Sequence, residues 1–183
     1  MPYLRTILTD GHPTLRRVAK KVQPHELRDP LFQQLIDDMF ETMYDAPGIG
    51  LAAPQVNISK RLFTLDLQDD DPEHGPLVVV NPKFTLTQGE RESTEGCLSV
   101  PGMVGEITRF EKVVVTGTDR EGAKIRLEGE GLFAVCLQHE IDHLNGVLYI
   151  DSAKNVRPAV TPEELDAAEG NTAGESLEDG AAS

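Results

Sequence analysis

The longest helical signature in the chain lies between residues 31 and 44. Leu31, Phe32, Leu35, Ile36, Met39, Phe40, Met43 and Tyr44 recur at helical spacing, while Gln33, Gln34, Asp37, Asp38 and Glu41 occupy the other face. Asp29 is a good N-cap, Pro30 suits the first helical position, and Pro47-Gly48 end the segment. The pattern predicts an amphipathic N-terminal helix whose methionine and aromatic stripe packs a core. A shorter helix is expected over residues 15–19, after the turn Asp10-Gly11-His12-Pro13. The middle of the chain then changes to a period of two. Residues 61–67 alternate, 77–80 form a continuous apolar run stopped by Asn81-Pro82, and 83–87, 112–116 and 124–127 alternate again. A second helix is predicted from about Gly131 to the stop signal Asn145-Gly146. Its Leu132-Phe133-Ala134-Val135-Cys136-Leu137, then Ile141 and Leu144, are apolar almost all round, which places it inside a core. Strands following strands between the two helices imply an α+β domain, with mostly antiparallel β-sheets packed around the central buried helix.

Composition narrows this picture. A chain of 183 residues with 39% hydrophobic content suits a single domain with a sizeable core. That domain is expected to span residues 1–155. From Val156 to Ser183 there are seven acidic residues against one arginine, together with Pro158, Pro162 and many small residues. This part reads as an acidic, mobile tail with a possible short helix after Thr161. A net charge of −14 argues against a broad nucleic-acid-binding surface, because phosphates would be repelled. No N-terminal signal peptide and no membrane-spanning run is visible, so a cytoplasmic setting is expected. In a reducing compartment Cys97 and Cys136 read as thiols available for chemistry rather than as a disulfide. His12 reads as a turn residue and Asp69-Asp70-Asp71 as a solvated loop.

The buried helix carries the candidate chemistry. Gln138-His139-Glu140-Ile141-Asp142-His143 contains HExxH, and two histidines four apart lie about 40° apart around a helix axis, within reach of one metal ion. Left unpaired in a core, two imidazoles and a carboxylate would be costly, and a metal resolves that cost. A catalytic site of this kind needs a third protein ligand. Cys136, three residues before His139, shares its face, and Cys97 within Glu95-Gly96-Cys97-Leu98-Ser99 is a rival. The extended HExxHxxGxxH pattern matches at Gly146 but meets Tyr149 where its third histidine should stand. A thermolysin-like site would use a downstream glutamate, for which Glu163 has a plausible spacing. A non-catalytic module with a structural metal is the alternative from another class. Gly48-Ile49-Gly50-Leu51-Ala52-Ala53-Pro54-Gln55 reads as a tight connection fitting no phosphate-binding pattern, with Gln55 offering an amide donor.

Taken together, the glycine-rich stretch ending at Gln55, the Cys97 segment and the HExxH helix resemble, in order and separation, the three signature motifs of bacterial peptide deformylase. The resemblance spans roughly residues 8–151. It implies that Cys97, His139 and His143 hold the metal, usually Fe2+, with Zn2+, Ni2+ or Co2+ able to substitute. It also implies removal of the formyl group from N-formylmethionyl nascent chains with release of formate. Metal-bound water would be the nucleophile and Glu140 the general base and acid, while Gln55 and the backbone N–H of Leu98 would stabilise the oxyanion. Ile49, Leu132, Val135 and Cys136 would line the methionine pocket, with Gly50 and Gly102 giving backbone access to the peptide. Glu95 and Arg109 would form a supporting ion pair. Some relatives engage the ribosome through a basic terminal helix; any transient ribosome contact here is not expected to use the acidic tail.

Overall fold

A computed structural model describes residues 2–67 and 74–159. The expected acidic tail beyond Ala159, including the possible helix after Thr161, and the Asp69-Asp70-Asp71 loop lie outside the described residues. Among the described residues two α-helices accompany eight strands: α1 (Pro30–Asp45), α2 (Gly131–Leu144), β1 (Gly50–Ala52), β2 (Leu62–Leu65), β3 (Leu77–Gln88), β4 (Arg91–Cys97), β5 (Val100–Arg109), β6 (Lys112–Thr118), β7 (Lys124–Glu130) and β8 (Lys154–Pro158). All named strand pairs are antiparallel. One sheet has the order β1-β2-β3-β6-β7 and the other β4-β5-β8.

The five-stranded sheet is covered on both faces at its centre. On one side Phe63, Leu65, Val79, Val113 and Val115 pack against Phe133, Leu137, Ile141 and Leu144 of α2. On the other, Leu51, Leu62 and Val80 pack against Ile36, Met39 and Met43 of α1. This double cover explains β2, where the alternating pattern suggested one exposed face but all four residues are buried. At the start of α1 the Asp29 carboxylate accepts from the Leu31 N–H at 2.9 Å, as an N-cap should.

Three local expectations change. Residues 15–19 do not form an α-helix; a single 3-10 turn runs Pro13–Arg16 instead, because Arg17 is already extended and Ala19 gives its N–H to the Leu144 carbonyl. His12 caps that turn by accepting from the Thr14 N–H at 3.2 Å. Asn81-Pro82 does not stop its strand. Asn81 takes a φ of 51° and its side chain holds both backbone groups of Val22, so β3 passes through a register shift and continues to Gln88. The stretch from Gly48 to Gln55, read as a connection, contains β1, whose Gly50 pairs with Leu65. At the C-terminal side, β8 crosses residue 155, where the composition begins to change, because it pairs with β5 from Met103 to Glu106. Among the described residues no helix is long and apolar enough to cross a membrane.

Candidate metal centre

Three elements converge beside α2. The helix turns His139 and His143 to one side, one turn apart, with ring centroids 4.9 Å apart. The β4–β5 hairpin brings Cys97 from the other sheet. Its Sγ lies 3.2 Å from His143 Nε2, which lies 3.2 Å from His139 Nε2. One donor atom from each residue falls within 4.8 Å of the others, the only such His/Cys/Asp/Glu group found among the described residues. Cys136 is not part of it, and Glu163 lies outside the described residues.

The donor set fits a cation. Two imidazole lone pairs and a sulfur this close repel one another unless a positive centre sits among them. Glu95 Oε2 accepts from His139 Nδ1 at 2.8 Å, which turns Nε2 toward the group. Burial alone would discourage a charge on His139, but hydrogen bonds to Cys97 and Glu95 and the charges of Glu140 and Cys97 carry it up to about 10. The same negative surroundings favour a positive charge at this point. Burial, with the charge of His139, pushes His143 well below its ordinary value, so it stays neutral with a lone pair to offer. A soft thiolate and two imidazoles suit a transition-metal ion rather than Mg2+ or Ca2+.

Behind His139 lies a buried charge network. Arg109 donates to both Glu95 oxygens at 2.7 and 2.8 Å and to Asp142 Oδ2 at 2.6 Å. Burial would raise the Glu95 carboxyl, yet hydrogen bonds from Arg109 and His139 hold it down at about 2. Gln138 adds a second tie: its side chain accepts the Phe110 N–H at 2.8 Å and donates to the Phe110 carbonyl at 3.0 Å, fixing α2 to the chain just after β5.

A cavity of about 630 Å³ opens beside Cys97 and His139. All six residues expected around the substrate line it: Ile49, Gly50, Gly102, Leu132, Val135 and Cys136, as do Gln55, Leu98 and Glu140. Glu140 is buried, its Oε2 has no hydrogen-bond partner, and burial pushes its carboxyl up to about 7 against the pull of His139. It presses on β1 so closely that a Cβ at Gly50 would collide with its carboxylate. Gln55 is held by its Oε1, which accepts the Ala52 N–H at 2.8 Å. Its Nε2 therefore faces the centre, 3.1 Å from Ser99 Oγ and 3.7 Å from Cys97 Sγ. Gly102 has a φ of 72°, and its carbonyl accepts from the Ala159 N–H at 2.9 Å.

Two participants were not singled out from sequence. Ser99, fully buried, orients Gln55 and gives its N–H to Cys97 Sγ at 3.4 Å; its position two residues after the cysteine was the available signal. Asp142, inside HExxH, pairs with Arg109, and its placement on the face beside the histidines hinted at that.

Comparison with known proteins gives one answer. A sequence model described as polypeptide deformylase matches residues 4–159. A peptide deformylase of Hahella chejuensis is 51% identical over 152 residues, covering 82% of this chain and 88% of its own. Among solved structures, a peptide deformylase from Legionella pneumophila superposes with a TM-score of 0.77 at 42% identity, covering 95% of this chain and all of that one. One from Synechococcus elongatus, in complex with actinonin, gives 0.76 at 42% identity, with coverage of 94% and 89%.

Proposed function

This chain belongs to the polypeptide deformylase family, and from that premise we propose that it hydrolyses the formyl group from N-formylmethionyl peptides, releasing formate and a free amino terminus. The observation that carries the reading is the meeting of Cys97, His139 and His143, with donor atoms within 4.8 Å, beside a cavity whose wall includes Cys97, His139 and Glu140.

Cys97, His139 and His143 would hold a divalent ion, Fe2+ by the family resemblance, with Zn2+, Ni2+ or Co2+ as substitutes. Bound there, the cation would polarise the formyl carbonyl and make water a stronger acid. Glu140, with a free carboxylate oxygen and a carboxyl near neutrality, takes a proton from the attacking water and delivers it to the amide nitrogen as the carbon–nitrogen bond breaks. Gln55 Nε2 and the Leu98 backbone N–H stabilise the oxyanion, each such donor being worth about 3 kcal/mol. Ile49, Leu132, Val135 and Cys136 supply an apolar wall for the methionine side chain. Gly50, whose missing side chain leaves room for the Glu140 carboxylate, gives the peptide access to the β1 backbone. Gly102, with a φ of 72° and no side chain, gives the peptide access to the β5 backbone. A cytoplasmic enzyme meeting nascent chains would touch the ribosome through a surface other than residues 156–183, whose charge repels RNA phosphate.

The test is formate release from formyl-Met-Ala-Ser by protein loaded anaerobically with Fe2+, alongside metal analysis. Cys97→Ala should lose both metal and activity. A Cys97→Ala protein that keeps both, while Glu163→Ala loses them, would replace this reading with a thermolysin-like one.

A further inference from the structure

Tyr149 stands where the extended HExxHxxGxxH pattern would place histidine, and the mechanism above leaves it without a role. Its side chain is 1% exposed. The ring lies 28° from the plane of the His139 imidazole, with centroids 6.3 Å apart, so it backs that ligand. At its far end the hydroxyl donates to the Met103 carbonyl at 3.0 Å. Met103 belongs to an irregular stretch of β5: opposite β4 the register steps from Gly96–Val104 to Cys97–Val100. A bulged strand bends where its ladder bonds are disrupted, so its local geometry depends on other anchors. Met103 also lines the cavity, and its carbonyl faces Gly96, where a Cβ would lie 3.4 Å from the oxygen. Gly96 is the residue before Cys97. The Tyr149 ring further packs over Gly105, where a Cβ would sit 3.2 Å from its Cε2.

We propose that Tyr149 is a positioning residue: its hydroxyl anchors the β5 bulge beside Cys97 and the pocket wall at Met103, while its ring backs His139. The thiol from the hairpin and the imidazole from α2 are thereby held in one register. This rests on the metal-centre reading above, which names Cys97 and His139 as ligands. A phenylalanine at this position would keep the packing and lose the anchor. The half-buried Met103 carbonyl would then lose this bond, at a cost that loosens the bulge rather than unfolds the domain.

The experiment compares the full-length chain with Tyr149→Phe and Tyr149→Leu. In metal-free protein, amide hydrogen exchange across residues 100–106 should be about fivefold faster in Tyr149→Phe, with β6 unchanged. In protein loaded with Co2+ alone, the visible absorption should shift and loss of the ion to a chelator should be about tenfold faster, the scale expected when support behind a ligand is removed. KM for formyl-Met-Ala-Ser should rise more than kcat falls. Tyr149→Leu should show the same changes, enlarged by loss of the ring. A lowered thermal midpoint in Tyr149→Phe, with exchange, cobalt spectrum and ion release all matching the parent, would overturn the inference and leave Tyr149 as core packing. A parent protein that takes up no Co2+ would instead refute the metal centre, and the exchange comparison would still decide the anchor.

Discussion

Replacing Arg109 with methionine isolates the network behind His139. The guanidinium makes three hydrogen bonds, two to Glu95 and one to Asp142, and the Arg109 and Glu95 side chains are only 8% and 5% exposed. Removing one member of a buried pair leaves the other charged and unmatched, which costs about 3–5 kcal/mol. The lowering of the Glu95 carboxyl to about 2 from an ordinary 4.5 points the same way, with Arg109 and His139 together favouring the ionised form against burial. The expected loss is therefore about 3 kcal/mol at neutral pH, or a thermal midpoint lower by about 10 °C for a domain of this size. Urea unfolding of metal-free protein measures it. Because the folded carboxyl is depressed, the contribution is fully present above about pH 4.5 and is lost as pH falls toward about 2, so the acid limb of the stability curve should flatten in the variant. Glu95→Gln combined with Arg109→Met should recover part of the loss, since neither charge is then stranded. A single-variant loss below about 1 kcal/mol, or a double variant no better than the sum of the singles, would refute the argument.

Glu140→Gln should retain the metal and the fold while formate release drops by about three orders of magnitude, read by metal analysis and a formate assay on the same sample. Gly50→Ala should push the Glu140 carboxylate from its place and lower kcat by about a hundredfold, with metal content unchanged; near-normal kcat would show that β1 has room to yield. Asp38 is fully buried, and although burial alone would raise its carboxyl, bonds from Gln34, the Tyr3 N–H and Arg5 hold it below its ordinary range. Asp38→Asn should therefore destabilise by about 1–3 kcal/mol near neutral pH. The deficit should shrink on acidification through the carboxylate range, as followed by thermal midpoints against pH.

What the sequence made legible follows from how local each signal is. The Asp29 cap and the 31–44 stripe belong to one helix, and HExxH needs only the pitch of another, so both could be read without knowing a neighbour. β1 could not: its three residues form a strand because Gly50 pairs with Leu65, and the glycine is required because Glu140, ninety residues later, presses on it. The continuation of β3 through Asn81-Pro82 was hidden for the same reason, since the asparagine turn is stabilised by Val22 from a distant segment. The choice of third ligand shows where physical reasoning from spacing ends. Cys136 shares a helical face with His139, but it precedes His143 by seven residues, about 10 Å along the axis, too far for three donors to close on one ion. Two ligands one turn apart exhaust what a straight helix can give to a compact site. The third donor has to arrive from another element; the motif resemblance pointed to Cys97, and the fold brings its Sγ beside His143 on the β4–β5 hairpin while Cys136 faces the cavity.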